Sequence, residues 1–201
     1  MITVSNLSKS FDEKKVIDDL SVVLKEGRIT TIMGSSGCGK TTFAMILLGL
    51  MTPDAGSVKG LEGKKVSAVF QEDRLVEHLS AIENIKMVLG KKCDENEISR
   101  QLAAVDLSGT LITKPTSQLS GGQKRRVAIV RAMMAESDFI CLDEPFKGLD
   151  VDTKQRVMEY VKKSISGKTV LFITHDIDER KYFEGDYIGV IPGPVCEIWP
   201  F

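Results

Sequence analysis

The chain has 201 residues, 42% of them hydrophobic, with 27 Lys+Arg against 28 Asp+Glu and a formal net charge of -1. That is ordinary globular composition, long enough for one sizeable core as a single domain or a domain carrying an inserted lobe. The near-neutral balance gives no electrostatic case for a nucleic-acid or anionic-membrane partner.

Cys38, Cys93, Cys141 and Cys196 are scattered, with no C-x-x-C pair, which fits reduced thiols in a cytosolic protein. The opening Met1-Ile2-Thr3-Val4 is no signal-peptide pattern. The most apolar stretch, 43–51, is too short to span a bilayer, so any membrane role is expected to run through a partner.

Residues 1–7 and 20–24 read as strands, with Lys14 and Lys15 in a polar turn between them. Residues 28–33 form a third apolar strand, which enters the glycine-rich loop 34–39 and then a helix through Leu48. Residues 57–60 and 66–70 are again strand-like. From Gln71 the chain turns helical and more polar. A helix is predicted at 81–89, and Asp94 caps another whose Glu95 and Glu97 suit the helix dipole. Lys114-Pro115 marks a break, and Ser120 opens a helix with Val127, Val130 and Met134 on one face. The apolar runs 139–142 and 169–174 suit parallel strands buried on both faces. Between them the helix 153–165 has Val157, Val161 and Ile165 on its apolar side. Residues 186–191 and 195–199 suggest a closing hairpin turned at Pro192-Gly193-Pro194. This alternation predicts an α/β fold: a parallel-sheet core from 1–74 and 136–201, an antiparallel β portion near the N-terminus, and a helical lobe inserted at 75–135.

Gly34-Ser35-Ser36-Gly37-Cys38-Gly39-Lys40-Thr41 matches G-x-x-x-x-G-K-[ST] between a predicted strand and a predicted helix, the context a phosphate-binding loop needs. Glycines let successive backbone N–H groups turn toward phosphate oxygens, and the helix from Gly39, which carries Lys40, Thr41 and Thr42, adds its positive end. Lys40 can reach β- and γ-phosphates, and the Thr41 hydroxyl can ligate Mg²⁺. Phe139-Ile140-Cys141-Leu142-Asp143-Glu144 is an apolar strand ending in two carboxylates. Neighbouring strand residues point opposite ways, so Asp143 can hold Mg²⁺ through its water shell while Glu144 orients or deprotonates an attacking water. Leu119-Ser120-Gly121-Gly122-Gln123 is a helix start with a capping box and two glycines that allow close approach of an anion. A second such phosphate-binding helix end is hard to use within one subunit.

With that motif the sequence resembles the ABC ATPase family, whose signature is Leu119 to Gln123 here, followed by the similar run Arg125-Arg126-Val127-Ala128. The resemblance covers essentially the whole chain and implies the family fold, ATP and Mg²⁺ as ligands, and a head-to-tail dimer in which Ser120 and Gly122 act on the partner's nucleotide. It further implies that Phe11 stacks on adenine, Gln71 contacts Mg²⁺ and the attacking water, and Gly148-Leu149-Asp150 links the two sites. His175 matches the switch histidine that contacts the γ-phosphate.

Phe70-Gln71-Glu72-Asp73-Arg74-Leu75 and Asp176-Ile177-Asp178-Glu179 look like importer ATPases for nitrate, sulfonates and taurine. Glu77-His78 departs from the Pro-Trp often found in that group at the stretch facing the membrane partner. The resemblance therefore implies an ATPase that powers solute import through a transmembrane permease, with a substrate-binding protein, at the cytoplasmic face of the membrane and without nucleic acid. The chain is short for this family, and no C-terminal regulatory domain is expected. The competing reading is a non-transport ABC ATPase acting on ribosomes or DNA. Such proteins usually carry two cassettes or a long coiled coil, and neither pattern is visible.

Overall fold

The computed structural model describes residues 1–12, 14–90 and 93–189. The expected strand 195–199, the Pro192-Gly193-Pro194 turn, Cys196 and the end of the strand 186–191 lie outside the described residues. The chain divides into two compact units. Met1–Val66, Ser137–Glu144 and Gly167–Phe201 form the first, and Ser67–Glu136 with Pro145–Ser166 the second. The sequence reading ends the helical lobe at 135, whereas here 145–166 groups with the helices of the second unit.

The first unit opens with a long hairpin. β1 (Ile2–Phe11) and β2 (Lys14–Leu24) pair antiparallel from Ile2 opposite Leu24 to Phe11 opposite Lys14. Lys14 and Lys15 are therefore strand residues, not the polar turn expected, and the chain turns after Phe11, where Asp12 has φ 52°. Register shifts interrupt the alternation that would have revealed β2. At the irregularity Asn6 (φ 49°) and Asp19 (φ 52°) take left-handed backbone, which these residue types tolerate. Asn6 Nδ2 donates to Asp19 Oδ1 at 2.8 Å, and the Asn6 amide donates to Ser21 Oγ at 2.8 Å. β4 (Ala55–Lys59) pairs with the other side of β1, giving the order β2-β1-β4.

β3 (Ile29–Met33), β6 (Phe139–Asp143), β7 (Thr169–Ile173) and β8 (Asp186–Gly189) run parallel in the order β6-β7-β3-β8. Every residue of β6 and β7 is buried, as continuous apolar runs predict for strands covered on both faces. Ile173 is paired with Ile32 on one side and Asp143 on the other, so β3, β7 and β6 end level with one another. That shared edge is where ligands sit in open α/β sheets. α1 (Lys40–Leu47) follows β3 and buries Phe43, Ala44, Ile46 and Leu47. α6 (Ile177–Phe183) has no counterpart among the predicted elements, because its charged sequence hides its apolar side. Phe183 anchors it, with its ring centroid 4.9 Å from that of Phe172 on β7. β5 (Val66–Val69) begins at the last residue of this unit's first segment.

The second unit carries α2 (Ala81–Leu89), α3 (Glu95–Ala103), α4 (Gly121–Met134) and α5 (Val151–Ser164). Side chains cap all four starts: Ser80, Asp94, Ser120 and Asp150 each accept a backbone N–H of the first turn. α4 touches α2, α3 and α5. Val127, Ala128, Ile129 and Val130 are all buried, so α4 is enclosed nearly all round rather than along the single face expected, and Met134 is only half-buried. On α5, Val157 and Val161 are buried as read, together with Ile165 just beyond its end.

Candidate nucleotide site

The loop after β3 is shaped by two glycines. Gly37 has φ 80° and Gly39 φ 94°, both left-handed. At Gly39 a Cβ would also stand 2.9 Å from the Val16 carbonyl oxygen, so β2 excludes any side chain there. Gly39 then serves as the N-cap of α1, its carbonyl accepting from Phe43 N at 2.8 Å. Lys40 is 9% exposed and folds back across the loop, donating to the Gly34 and Ser35 carbonyls at 2.8 Å each. Its ammonium lies 3.6 Å from Cys38 Sγ. Ser36, Gly37 and Thr41 face solvent, and Thr42 is half-buried on α1.

Two pairs complete the cluster at the strand ends. Thr41 Oγ1 donates to Asp143 Oδ2 at 2.7 Å, with Asp143 itself 2% exposed. Glu144 takes φ 46° immediately beyond β6, held by a 2.9 Å hydrogen bond from its amide to the Ile173 carbonyl. Left-handed backbone at a non-glycine residue costs about 1–2 kcal/mol, and such residues cluster at functional sites. The turn aims the two acids apart: Asp143 meets α1, while Glu144 Oε1 lies 3.3 Å from His175 Nδ1 beyond β7.

The sequence did not signal what supports His175. Thr174 Oγ1 donates to the buried Glu179 Oε2 at 2.5 Å and accepts the Asp176 amide at 3.0 Å, so the residues on both sides of His175 are tied to the start of α6. Burial, reinforced by the Asp143 charge, pushes the Cys141 thiol well above its ordinary range and keeps it protonated. Phe11, at the end of β1, is 43% exposed. Lys9 Nζ stands 5.7 Å from its ring centroid, and Asp54 holds that ammonium at 2.6 Å.

Gln71, Ser120, Gly121, Gly122, Gln123 and Asp150 belong to the second unit. Ser120 and Gln123 form the predicted capping box in full: Ser120 Oγ accepts Gln123 N at 3.3 Å, and Gln123 Oε1 accepts Ser120 N at 2.9 Å. A Cβ at Gly121 would meet nothing within 4 Å, and one at Gly122 would make only ordinary contact, at 3.6 Å, with the Gly148 carbonyl and Leu149. Among the described residues, packing explains neither glycine. Asp150 is the N-cap of α5, and its hydrogen bonds to Thr153 hold its carboxyl below the usual carboxylate range. The Gln71 side chain is exposed, and its main-chain carbonyl accepts from Arg125 on α4.

Comparison with known proteins agrees with this geometry. The family model for ABC transporters matches residues 17–147. The chain is 39% identical over 182 residues to the aliphatic sulfonates import ATP-binding protein SsuB 2 of Paraburkholderia xenovorans, covering 89% of this chain and 72% of that protein. It is 33% identical over 213 residues to the taurine import ATP-binding protein TauB of Pseudomonas aeruginosa, covering 98% and 81%. The dimeric structure of MJ0796, a bacterial ABC transporter cassette, superposes with a TM-score of 0.86 at 30% identity, over 98% of this chain and 97% of that one. Its post-hydrolysis state bound to ADP and Pi gives 0.83 at 28%, over 94% of each. Among the described residues no helix is long and apolar enough to cross a membrane. With the phosphate loop, the Asp143–Glu144 pair and the capped signature helix all built, the chain belongs to the ABC transporter family and is an ATP-hydrolysing subunit of the importer type.

Proposed function

We propose that two copies of this chain, arranged head to tail, bind and hydrolyse Mg-ATP between them and so drive solute uptake through a transmembrane permease. The observation that carries this reading is the grouping of Lys40, the Thr41–Asp143 pair and the Glu144–His175 pair at the level ends of β3, β6 and β7. The donor set fits Mg²⁺: one hydroxyl and one carboxylate suit a hard ion that keeps several waters and takes its other oxygens from phosphate. Bound Mg-ATP supplies the electrophilic phosphorus and the cation that neutralises charge developing on the phosphate oxygens.

The protein's part is to hold and orient. Backbone N–H groups of the loop from Gly34 to Gly39 and the start of α1 face the phosphates, and Lys40 extends to them from its own loop. Glu144 accepts a proton from the attacking water at its carboxylate, and His175 fixes that carboxylate through Nδ1 while its exposed ring reaches toward the γ-phosphate. Phe11 offers a ring face for stacking on adenine. Gln71 contacts Mg²⁺ and the attacking water, and Asp150 lies at the turn that links the two sites. Gly121 and Gly122 support the head-to-tail arrangement. Glycine inside a helix costs up to about 0.5–1 kcal/mol relative to alanine, less in the first turn, and packing among the described residues gives no return for it. Close approach of another subunit's nucleotide to the Ser120 end of α4 does. The import ATP-binding proteins among its relatives support solute import, with a substrate-binding protein delivering the solute and this subunit seated on the permease at the cytoplasmic face.

Phosphate release with Mg-ATP, measured beside Glu144→Gln, tests the reading. Turnover in the wild type and none in the variant, at equal ATP binding, is expected. Wild-type turnover in Glu144→Gln would remove Glu144 from the role of base.

A further inference from the structure

The segment after β5 is gripped by two arginines of the signature helix. Arg125 is 6% exposed and turns its whole guanidinium toward it. Nη1 donates to the Phe70 carbonyl at 2.5 Å, Nη2 to the Gln71 carbonyl, and Nε faces Asp73 Oδ1 at 3.1 Å. Six residues further along α4, Arg131 donates to the carbonyls of Arg74 at 2.9 Å and Asp73 at 3.1 Å. The segment therefore runs along the helix in the same direction as it. Arg74, with φ 46°, folds back so that its guanidinium stands 3.8 Å over the Phe70 ring. Burial raises the Asp73 carboxyl above its ordinary range even with Arg125 beside it, and a buried ion pair is weak evidence for stability.

We propose that Arg125 is a positioning residue for hydrolysis: it locks the main chain at Gln71 to the signature helix, so that Gln71 and the Ser120 end of α4 move as one body. Ser120 lies five residues, or about 7.5 Å of helix, before Arg125. In the head-to-tail dimer Ser120 serves the partner's nucleotide and Gln71 serves the subunit's own. Arg125 thus ties one composite site to the other within a single subunit. The inference rests on the Gln71 role proposed above. Only the planar, forked guanidinium can reach both carbonyls and the carboxylate together; a lysine ammonium is a point donor.

The test uses the full chain with Arg125→Gln, Arg125→Lys and Gln71→Ala. Hydrogen exchange of the amides at 70–74, without nucleotide, is expected to speed up about tenfold in Arg125→Gln, from loss of charge-assisted hydrogen bonds. Arg125→Lys is expected to fall between, and Gln71→Ala to match the wild type. In ATPase assays Arg125→Gln is expected to lower kcat about tenfold to a hundredfold, the scale of a small misplacement, with KM for ATP little changed and Arg125→Lys partly restoring kcat. Unchanged exchange at 70–74 in Arg125→Gln would overturn the proposal, as would exchange raised equally along all of α4, which marks general loosening. Full kcat in Gln71→Ala would instead overturn the Gln71 role, and is told apart because the exchange result does not depend on it.

Discussion

Under the function proposed above, the two units offer different material. At the ends of β3, β6 and β7 polar side chains cluster: Thr41 with Asp143, Glu144 with His175, and Lys40 folded across its loop. Along α4 the side chains serve as scaffolding: Ser120 and Gln123 cap the helix, and Arg125 and Arg131 hold carbonyls. A substitution in the first region should therefore remove chemistry and spare the fold. In the second it should shift geometry, or even stabilise the subunit while harming function.

The largest expected effect tests the first half of that contrast. Glu144→Gln should lower kcat by about 10²- to 10⁴-fold, the usual worth of a general base, with thermal stability and ATP affinity near wild type. A large fall in melting temperature would show that the side-chain region is scaffold as well. Lys40→Ala should weaken ATP binding about tenfold or more in calorimetry, since a charge-assisted contact is worth about 1.5–3 kcal/mol; equal affinity would contradict the loop assignment. Phe172→Ala, beneath the cluster, should destabilise the subunit by about 3–5 kcal/mol in denaturant unfolding. Ser120→Ala should cost about 1 kcal/mol through loss of the cap. The smallest effect is the most pointed. Gly121→Ala should stabilise the isolated subunit slightly, by less than the roughly 0.5–1 kcal/mol of a mid-helix glycine, because a Cβ there meets nothing among the described residues, yet weaken ATP-driven dimerisation. A destabilised subunit, or an unaffected dimer, would break the reading of the glycine.

What could be read from the sequence follows the same division. Local devices were legible: the glycine-rich phosphate loop, the Ser120–Gln123 capping box, the Asp94 cap and the helix Ala81–Leu89 are each marked by residues close in the chain. Structure made at long range was not. Glu144 and His175 are 31 residues apart, and the Arg125 contacts reach back 54 and 55 residues, so no local pattern shows them. Bulges concealed the first half of β2, and α6 keeps only Glu179 and Phe183 buried, too little to show a helical stripe among its charges. The enclosed surroundings of α4 were also illegible, because nothing local in the sequence shows that Arg125 and Arg131 bind distant backbone.

The shared nucleotide site is tested most directly by light scattering on Glu144→Gln with saturating Mg-ATP, beside the same variant carrying Gly122→Asp. The expected result is a doubled mass for Glu144→Gln only when ATP is present, and a monomer that still binds ATP for the double variant. A monomer in both at full ATP occupancy, or a dimer in both, would contradict a site completed by the partner's Ser120 helix end.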